Sequence, residues 1–182
     1  MSSYEPSAVD VILTDLLGPV LGRPFYARIV SRLGLRGTEE VLEFGSGPGI
    51  LSKMMADRLS NGRLTLVDVS SRWLRVARRR LRGRSNVRFL EGDVYSLDLP
   101  SRSFDMVVLN YVLHDIPEAE RDDVVETLAK VVRPGGRLFI QEPIGQRHGM
   151  PASEARGLLE GAGLKELSFQ EERRRFRGLY VR

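Results

Sequence analysis

Residues 41–49, Val-Leu-Glu-Phe-Gly-Ser-Gly-Pro-Gly, constrain the fold of this chain more than any other stretch. Apolar residues around one acid predict a buried strand, and the alternate glycines predict a tight turn into a helix that starts near Pro48. Because glycine has no Cβ, Gly45, Gly47 and Gly49 can adopt positive φ and let a ligand lie against bare backbone. The N–H groups at the start of the helix point into the same space. The stretch therefore predicts a ligand-binding turn.

Short apolar runs alternate with amphipathic segments along the rest of the chain. Predicted strands cover 40–44, 64–69, 87–90, 104–109, 137–141, 165–170 and 176–181. Predicted helices cover 25–35, 48–59, 70–81, 153–162 and a segment that follows Pro117 and ends at Pro134-Gly135-Gly136. This alternation indicates an α/β fold in which a parallel sheet is covered by helices on both faces.

Length and composition are those of one ordinary globular domain. The chain has 182 residues, 42% of them hydrophobic, and neither a repeat nor a linker divides it. We expect an N-terminal helical lid segment at 1–36 and a ligand-binding domain at 37–182. Cysteine is absent, which excludes disulfides, cysteine-bound zinc and thiol nucleophiles. With no apolar run of membrane-spanning length and no signal-peptide pattern at 1–10, the simplest expectation is a cytoplasmic protein.

Arginine is concentrated at 72–84 and at 173–177, and the pI of about 9.7 is high for a net charge of only +4. Such clusters can form a surface for nucleic acid or for an acidic membrane. The alternative is a solvated helix face and a charged edge near the terminus. Aromatic residues are not interleaved with the arginines for base stacking, so the solvated face is favoured and nucleic-acid binding is not expected.

Polar residues cluster where the predicted strands end, which is where a parallel sheet binds its ligand. Asp68 lies 25 residues after Glu43, and a carboxylate at about this spacing suits the two hydroxyls of a ribose. Asp93, beside the apolar Val94, could accept a hydrogen bond from the amino edge of an adenine. Polar residues also follow the fourth and fifth strands, at 110–115 and 142–143. A single such acid is often only a helix cap, but the joint pattern predicts a nucleoside site.

The spacing of the glycines argues against a dinucleotide. A dinucleotide turn reads G-x-G-x-x-G, whereas here the sixth place is Ile50. Glu43 would repel a pyrophosphate so close to it, but it would attract a cationic amino group. The turn therefore favours a nucleoside that bears an amino acid.

Together these motifs resemble those of the class I S-adenosylmethionine-dependent methyltransferases. The similar segments follow the family order at 41–49, 66–70, 91–94, 104–110 and 133–138, within a match that spans 25–182. The resemblance implies a Rossmann-like doubly wound sheet of seven strands, mostly parallel with the last strand antiparallel, and makes 37–182 the methyltransferase domain. It also implies S-adenosyl-L-methionine as cofactor and S-adenosyl-L-homocysteine as product.

The resemblance further implies which residues bind the cofactor. Glu43 would face the methionine amino group, and Asp68 would bind the ribose hydroxyls. The other implied contacts are the backbone of Gly45, Ser46, Gly47 and Gly49 along the cofactor, Val69 beside the adenine, Asp93 and Val94 at its edge, and Asn110 beside the methionine. Tyr111 would face the sulfonium through a cation–π contact, with a core position as the alternative.

His114 is the candidate catalytic base. Leu-His-Asp before a helix is similar to small-molecule O-methyltransferases, where a histidine there serves as base, and equally to quinone-type methyltransferases, where it often does not. The alternative is a histidine hydrogen-bonded to backbone at a helix start. Asp115 is more simply a helix cap, and His148 is a candidate for the acceptor pocket with an exposed loop position as the alternative.

Several features narrow the acceptor to a small molecule such as a metabolite, a quinone-like compound or an amine. Asn110 leads into Tyr-Val-Leu and not Pro-Pro-Tyr, so methylation of DNA base amino groups is not expected, and no metal is called for. Two other classes stay open: a nicotinamide-dependent oxidoreductase, and a non-catalytic S-adenosylmethionine-binding partner subunit. We expect a monomer or a homodimer.

Overall fold

The structure is a computed structural model that describes residues 6–7, 22–145 and 149–182. Its strands are β1 (Glu40–Phe44), β2 (Arg63–Asp68), β3 (Val87–Glu91), β4 (Phe104–Asn110), β5 (Val132–Pro143), β6 (Lys165–Glu172) and β7 (Arg175–Val181). Its helices are α1 (Arg23–Leu33), α2 (Ile50–Ala56), α3 (Ser71–Arg80), α4 (Glu118–Val131) and α5 (Ala152–Gly161). The strands form one sheet in the order β3-β2-β1-β4-β5-β7-β6, which confirms the predicted seven-stranded α/β fold.

The chain divides into two compact units, and the first spans residues 1–93. Within it β1 pairs with β2 and β2 with β3, all in parallel. Val41, Leu42 and Leu66 are fully buried, as strands covered on both faces require. Ser70 caps helix α3: its hydroxyl accepts a hydrogen bond from Trp73 N at 3.1 Å and so satisfies one of the free N–H groups of the first turn.

The second unit spans residues 94–182. Its β4 and β5 are parallel, and β7 pairs antiparallel with both β5 and β6, so the last strand is the antiparallel one, as expected. Met106, Leu109, Phe176 and Tyr180 are fully buried here. A 3₁₀ turn at Leu113–Asp115, which the periodicity did not predict, lies between β4 and α4.

The junction between α4 and β5 differs from the prediction. The helix ends at Val131 and the strand begins at Val132, so Pro134-Gly135-Gly136 lies inside β5 and not before it. The reason is pairing with the end of the chain: Gly135 N donates to Arg182 O at 2.9 Å, and Arg182 N donates to Gly136 O at 3.1 Å. The Arg182 guanidinium also donates to the carbonyls of Ala129, Lys130 and Val132, which satisfies the end of the helix.

The expected lid falls mostly outside the described residues. Of residues 1–36, only 6–7 and 22–36 are described, and these contribute α1, so the lid stays a prediction. No helix in the described part of the chain has the length and apolar character needed to cross a membrane.

Candidate functional site

The glycine turn after β1 has the backbone that the sequence predicted. Gly45, Gly47 and Gly49 all have positive φ, at 72°, 52° and 74°. Gly45 N and Ser46 N both donate to Val67 O, at 2.9 and 3.1 Å, which ties the turn to β2. These bonds fix a conformation that side chains rarely tolerate, so the glycines are required for the turn itself.

The second and third glycines of the turn face different surroundings. A Cβ built on Gly47 meets no described atom within 4 Å, so this residue borders open space. A Cβ on Gly49 would lie 3.0 Å from Ala77 Cβ and 3.2 Å from Ala77 Cα. Gly47 is therefore positioned to border a ligand, whereas Gly49 allows the turn to pack against α3.

Asp68 at the end of β2 holds the glycine turn from the opposite side. Its Oδ2 accepts a hydrogen bond from Gly47 N at 2.7 Å, and its Oδ1 accepts one from Ser70 N at 2.9 Å. The carboxylate is buried, with 7% of the residue exposed. Each carboxylate oxygen has two lone pairs, so Asp68 can order the turn and still accept hydrogen bonds from a ligand.

Glu43 is an acid almost completely buried inside β1. Its Oε2 accepts a hydrogen bond from the Ser52 hydroxyl on α2. Burial raises the pKa of Glu43 to about 8, the bond from Ser52 opposes that rise, and the negative charge of Asp68 adds to it. A carboxyl in this state binds a proton near neutral pH and would release it to face a cation.

Ser46 carries an unusual buried hydroxyl. Among the described residues its Oγ is the buried side-chain polar atom for which no hydrogen-bond partner exists. Because a buried hydroxyl without a partner costs free energy, its position in the glycine turn marks a place where a ligand can supply the missing bond.

Three further predicted residues are described by their burial alone. Val69 and Asp93 are half-buried, and Val94 is almost fully buried. Their assignment to an adenine therefore stays a prediction. His148 lies outside the described residues.

Asn110 and Tyr111 at the end of β4 are held by the neighbouring strand. Gln141 Nε2 donates to Asn110 Oδ1 at 3.0 Å, and Tyr111 N donates to Gln141 O at 2.8 Å. Tyr111 has a positive φ of 57°, which costs about 1–3 kcal/mol for a residue other than glycine. Its side chain is half-buried and hydrogen-bonded to Arg175 at the start of β7. A strained residue held from both ends suggests a functional position.

His114 is paired with a buried acid. Its Nδ1 lies 2.6 Å from Glu142 Oε2, and Glu142, at the end of β5, is fully buried. The other oxygen, Oε1, accepts hydrogen bonds from Val112 N at 3.0 Å and Leu113 N at 2.8 Å. Three donors thus satisfy the carboxylate, which fixes the histidine ring.

The pKa of His114 is raised above its usual value. Burial acts to lower this pKa, but the hydrogen bond and the negative charge of Glu142 outweigh burial and raise it. The charge of Asp115 adds to the rise, and the charge of Arg121 opposes it. The second ring nitrogen, Nε2, lies 3.4 Å from Asp115 Oδ1, and Asp115 is mostly exposed. The ring is therefore oriented through Nδ1, while Nε2 faces the exposed carboxylate of Asp115.

Arg121 fixes the 3₁₀ turn that carries His114. Its guanidinium donates to His114 O at 3.1 Å and to Ile116 O at 2.9 Å, and it pairs with Glu154 of α5 at 2.5 Å. Sequence reasoning missed both Arg121 and the pairing of Glu142, although Glu142 was noted at a strand end. The pairing of Glu142 could have been found from the parallel register of β4 and β5. This register sets Gln141 beside Asn110, so the next residue, Glu142, reaches the loop that holds His114.

The family model of the methyltransferase domain matches residues 41–136, which is more than half of the chain. The chain belongs to the methyltransferase domain family. This membership confirms the resemblance to class I S-adenosylmethionine-dependent methyltransferases, and it does not favour the nicotinamide-dependent alternative.

Among relatives, the ubiquinone/menaquinone biosynthesis C-methyltransferase of Ectopseudomonas mendocina is 28% identical over 135 residues, which cover 72% of this chain and 52% of that protein. The chain thus spans about half the length of this relative. The solved N-methyltransferase NodS from Bradyrhizobium japonicum, in complex with S-adenosyl-L-homocysteine, superposes with a TM-score of 0.73 at 22% identity, over 87% of this chain and 86% of that one. An O-methyltransferase family protein from Burkholderia thailandensis superposes with a TM-score of 0.76 at 21% identity, over 94% of this chain and 59% of that one. These likenesses show the same fold.

Proposed function

We propose that this methyltransferase-domain protein transfers a methyl group from S-adenosylmethionine to a small-molecule acceptor that carries an ionisable hydroxyl. Family membership supports the cofactor and the reaction class. The single observation that supports the hydroxyl is the pairing of His114 with the fully buried Glu142, because a histidine orientated by a carboxylate suits a nucleophile that must lose a proton.

The residues around the glycine turn fit this cofactor. Ser46 has a buried hydroxyl that lacks a partner among the described residues, and Gly47 borders open space. Asp68 supplies a carboxylate for the ribose hydroxyls, and Glu43 supplies a carboxyl for the amino group. S-adenosylmethionine, when bound, supplies a methyl group already activated on a sulfonium sulfur.

Glu43 and Asp68 have separate roles in this proposal. Asp68 is held in place by the backbone N–H groups of Gly47 and Ser70, so its carboxylate is already ordered before a ligand binds. Glu43 binds a proton in the absence of a cation and ionises opposite an ammonium group. The remaining predicted contacts, Val69, Asp93 and Val94 for the adenine, and Asn110 with Tyr111 for the methionine and sulfonium, are part of the same proposal.

His114 acts as the general base. Neutral His114 donates its Nδ1 proton to Glu142 and keeps the lone pair of Nε2, which accepts the proton of the acceptor hydroxyl. Glu142 then stabilises the imidazolium that forms. A base of this kind contributes about 10²–10⁴-fold in rate, while alignment of the nucleophile with the methyl group contributes about 7–11 kcal/mol.

A hydroxylated aromatic ring is the acceptor that best suits this base. Loss of a phenolic proton places electron density on the oxygen and on the adjacent ring carbon, so one base serves both O- and C-methylation. Names of similar proteins include both an O-methyltransferase family and a C-methyltransferase of quinone biosynthesis. Neutral amines have a free lone pair and do not need the base.

The test is methyl transfer from labelled S-adenosylmethionine to a panel of phenols, hydroquinones and amines. We expect turnover with hydroxylated rings, and we expect His114→Ala to slow it about 100-fold or more without change in affinity for S-adenosylhomocysteine. Full activity of His114→Ala would leave the histidine structural. Tight cofactor binding with no product from any acceptor would instead favour a non-catalytic subunit.

A further inference from the structure

A cleft of about 450 Å³ lies among α1, α2 and α3 of the first unit. Four cationic residues and one acid line it: Arg23, Lys53, Arg58, Arg80 and Asp57. Its volume is within the range of about 300–1,000 Å³ that is usual for small-molecule sites. The cleft plays no part in the proposed methyl transfer.

Ion pairs inside the cleft leave an excess of positive charge. The carboxylate of Asp57 is shared by Lys53, at 3.0 Å, and by Arg84. The guanidinium groups of Arg23 and Arg58 make no hydrogen bond or ion pair within the described part of the chain. Both groups can therefore bind an anion, and a planar guanidinium donates two parallel hydrogen bonds to phosphate oxygens.

Apolar side chains complete the lining of the cleft. Ala27 and Val30 of α1 and Ile50 and Met54 of α2 contribute to it. Val30 and Ile50 are mostly buried, and a simple inorganic anion would leave the exposed apolar surface, chiefly that of Ala27 and Met54, in contact with water. An occupant with an anionic head and an apolar chain would cover this surface, and burial of its CH₂ groups would favour binding.

The part of the chain that contains the cleft is also cationic as a whole. Residues 22–93 contain fifteen arginines and lysines against seven acids. Arg72, Arg75, Arg79 and Arg82 are all exposed, and their helical spacing places them along one stripe that begins on α3. A field of this sign raises the local concentration of anions and favours their capture.

We propose that this cleft binds a phosphate ester that bears an apolar chain. Arg23 and Arg58 hold the phosphate group, and Ala27, Val30, Ile50 and Met54 contact the chain. The same chemistry is offered by a phospholipid in a membrane and by a soluble phosphorylated amphiphile. The site goes beyond the proposed function and does not depend on it.

The test measures binding of dihexanoyl phosphatidic acid below its micellar concentration, by titration calorimetry with the full chain at physiological salt. The double variant Arg23→Gln/Arg58→Gln should weaken binding by about tenfold or more. The matched control is Arg28→Gln/Arg36→Gln, which removes the same charge from exposed positions on and just after α1 that do not line the cleft. It should change binding by no more than about twofold, because exposed charges at a distance are screened.

Two further arms define the ligand. Inorganic phosphate should bind more weakly than the lipid by about tenfold or more, and Ala27→Phe should weaken the lipid but not phosphate, if the apolar lining takes part. Sedimentation with phosphatidylcholine vesicles, with and without phosphatidic acid, separates the sources: retention that depends on Arg23 and Arg58 identifies a membrane lipid, and binding of the monomer alone identifies a soluble ester. Equal losses in the two double variants, equal affinity for phosphate and lipid, or no binding of the lipid would overturn the proposal.

Discussion

Glu142 Oε2 lies 2.6 Å from Nδ1 of His114, and the carboxylate that makes this contact has no exposed surface. The remaining oxygen is bound by two backbone N–H groups, from Val112 and Leu113. The acid therefore cannot turn away from the ring. The hydrogen bonds assign the Nδ1–H tautomer to neutral His114, which leaves Nε2 as its basic atom.

Glu142→Gln should shift the pH dependence of methyl transfer. The base works only when His114 is neutral, so activity rises as pH increases through a pKa that Glu142 holds above its usual value. Loss of the negative charge lowers that pKa, so the rise should occur at lower pH, and the plateau should fall by about tenfold or more because the base is weaker. The measurement is kcat/KM against pH, together with NMR titration of the His114 ring. An unchanged profile in the variant would separate Glu142 from catalysis.

Glu43→Gln should make the protein more stable at alkaline pH. The pKa of Glu43 is about 8 in the folded state and 4.5 in the reference state, so the folded protein binds the proton more tightly. Its contribution is fully present below about pH 4.5 and is lost as pH rises through 8. Above pH 8 the variant should exceed the wild type by about 2–5 kcal/mol in the free energy of unfolding, since each pKa unit corresponds to about 1.4 kcal/mol.

Urea denaturation at pH 5 and pH 9 measures this difference. The control is Glu40→Gln on the same strand, which weakens an ion pair with the exposed Arg63 and should change stability by less than about 1 kcal/mol at either pH. The more stable Glu43→Gln should bind S-adenosylhomocysteine more weakly, because the ammonium group loses its carboxylate. Equal free energies of unfolding for variant and wild type at pH 9 would show that burial of the ionised Glu43 carboxylate does not destabilise the folded protein.

Much of the fold was predictable because it depends on neighbours in sequence. Strand β1 was predicted at its observed bounds, since an apolar run that ends in alternate glycines encodes both the strand and its stop. The junction of α4 and β5 was not, because its geometry depends on Arg182, 46 or more positions away. From sequence neighbours alone, Pro134-Gly135-Gly136 predicts the end of a helix. That prediction takes no account of pairing with the last residue of the chain.

The site divides in the same way. Asp68 could be chosen as a site residue from its spacing to the glycines, and its role toward a ribose stays a prediction. Its hydrogen bond from Gly47 N, which orders the turn, was not predicted. The partner of His114 could not be predicted, because Glu142 is 28 residues away and reaches it through the register of a strand. The hydrogen bond from Arg121 to His114 O could not be predicted either, because it joins a helix to a turn that has no periodic pattern in the sequence.

Asp68→Ala and Asp68→Asn should separate two roles of one carboxylate. Alanine removes the acceptors of Gly47 N and Ser70 N as well as those for a ribose, so binding of S-adenosylhomocysteine should weaken tenfold or more, about 1.5–3 kcal/mol, and thermal stability should fall. Asparagine keeps one oxygen acceptor. Relative to Asp68→Ala, Asp68→Asn should therefore regain part of the lost stability and a smaller part of the lost affinity for S-adenosylhomocysteine. Calorimetric titration and thermal unfolding measure the two effects. An unchanged dissociation constant in Asp68→Ala would exclude this residue from the ribose site.

Gly47→Ala should mainly weaken cofactor binding, whereas Gly49→Ala should mainly lower the stability of the fold. Both force a side chain into positive φ, which costs about 1–2 kcal/mol. The methyl group at 47 then enters open space, whereas the one at 49 presses on Ala77 and adds about 1–3 kcal/mol of overpacking. We therefore expect Gly49→Ala to lower stability more. Gly47→Ala should lower affinity for S-adenosylhomocysteine more, because its methyl group occupies space that the cofactor needs. Titrations at a temperature where circular dichroism shows both variants folded compare the two. Wild-type affinity in Gly47→Ala would mean that the space beside this glycine does not receive the cofactor.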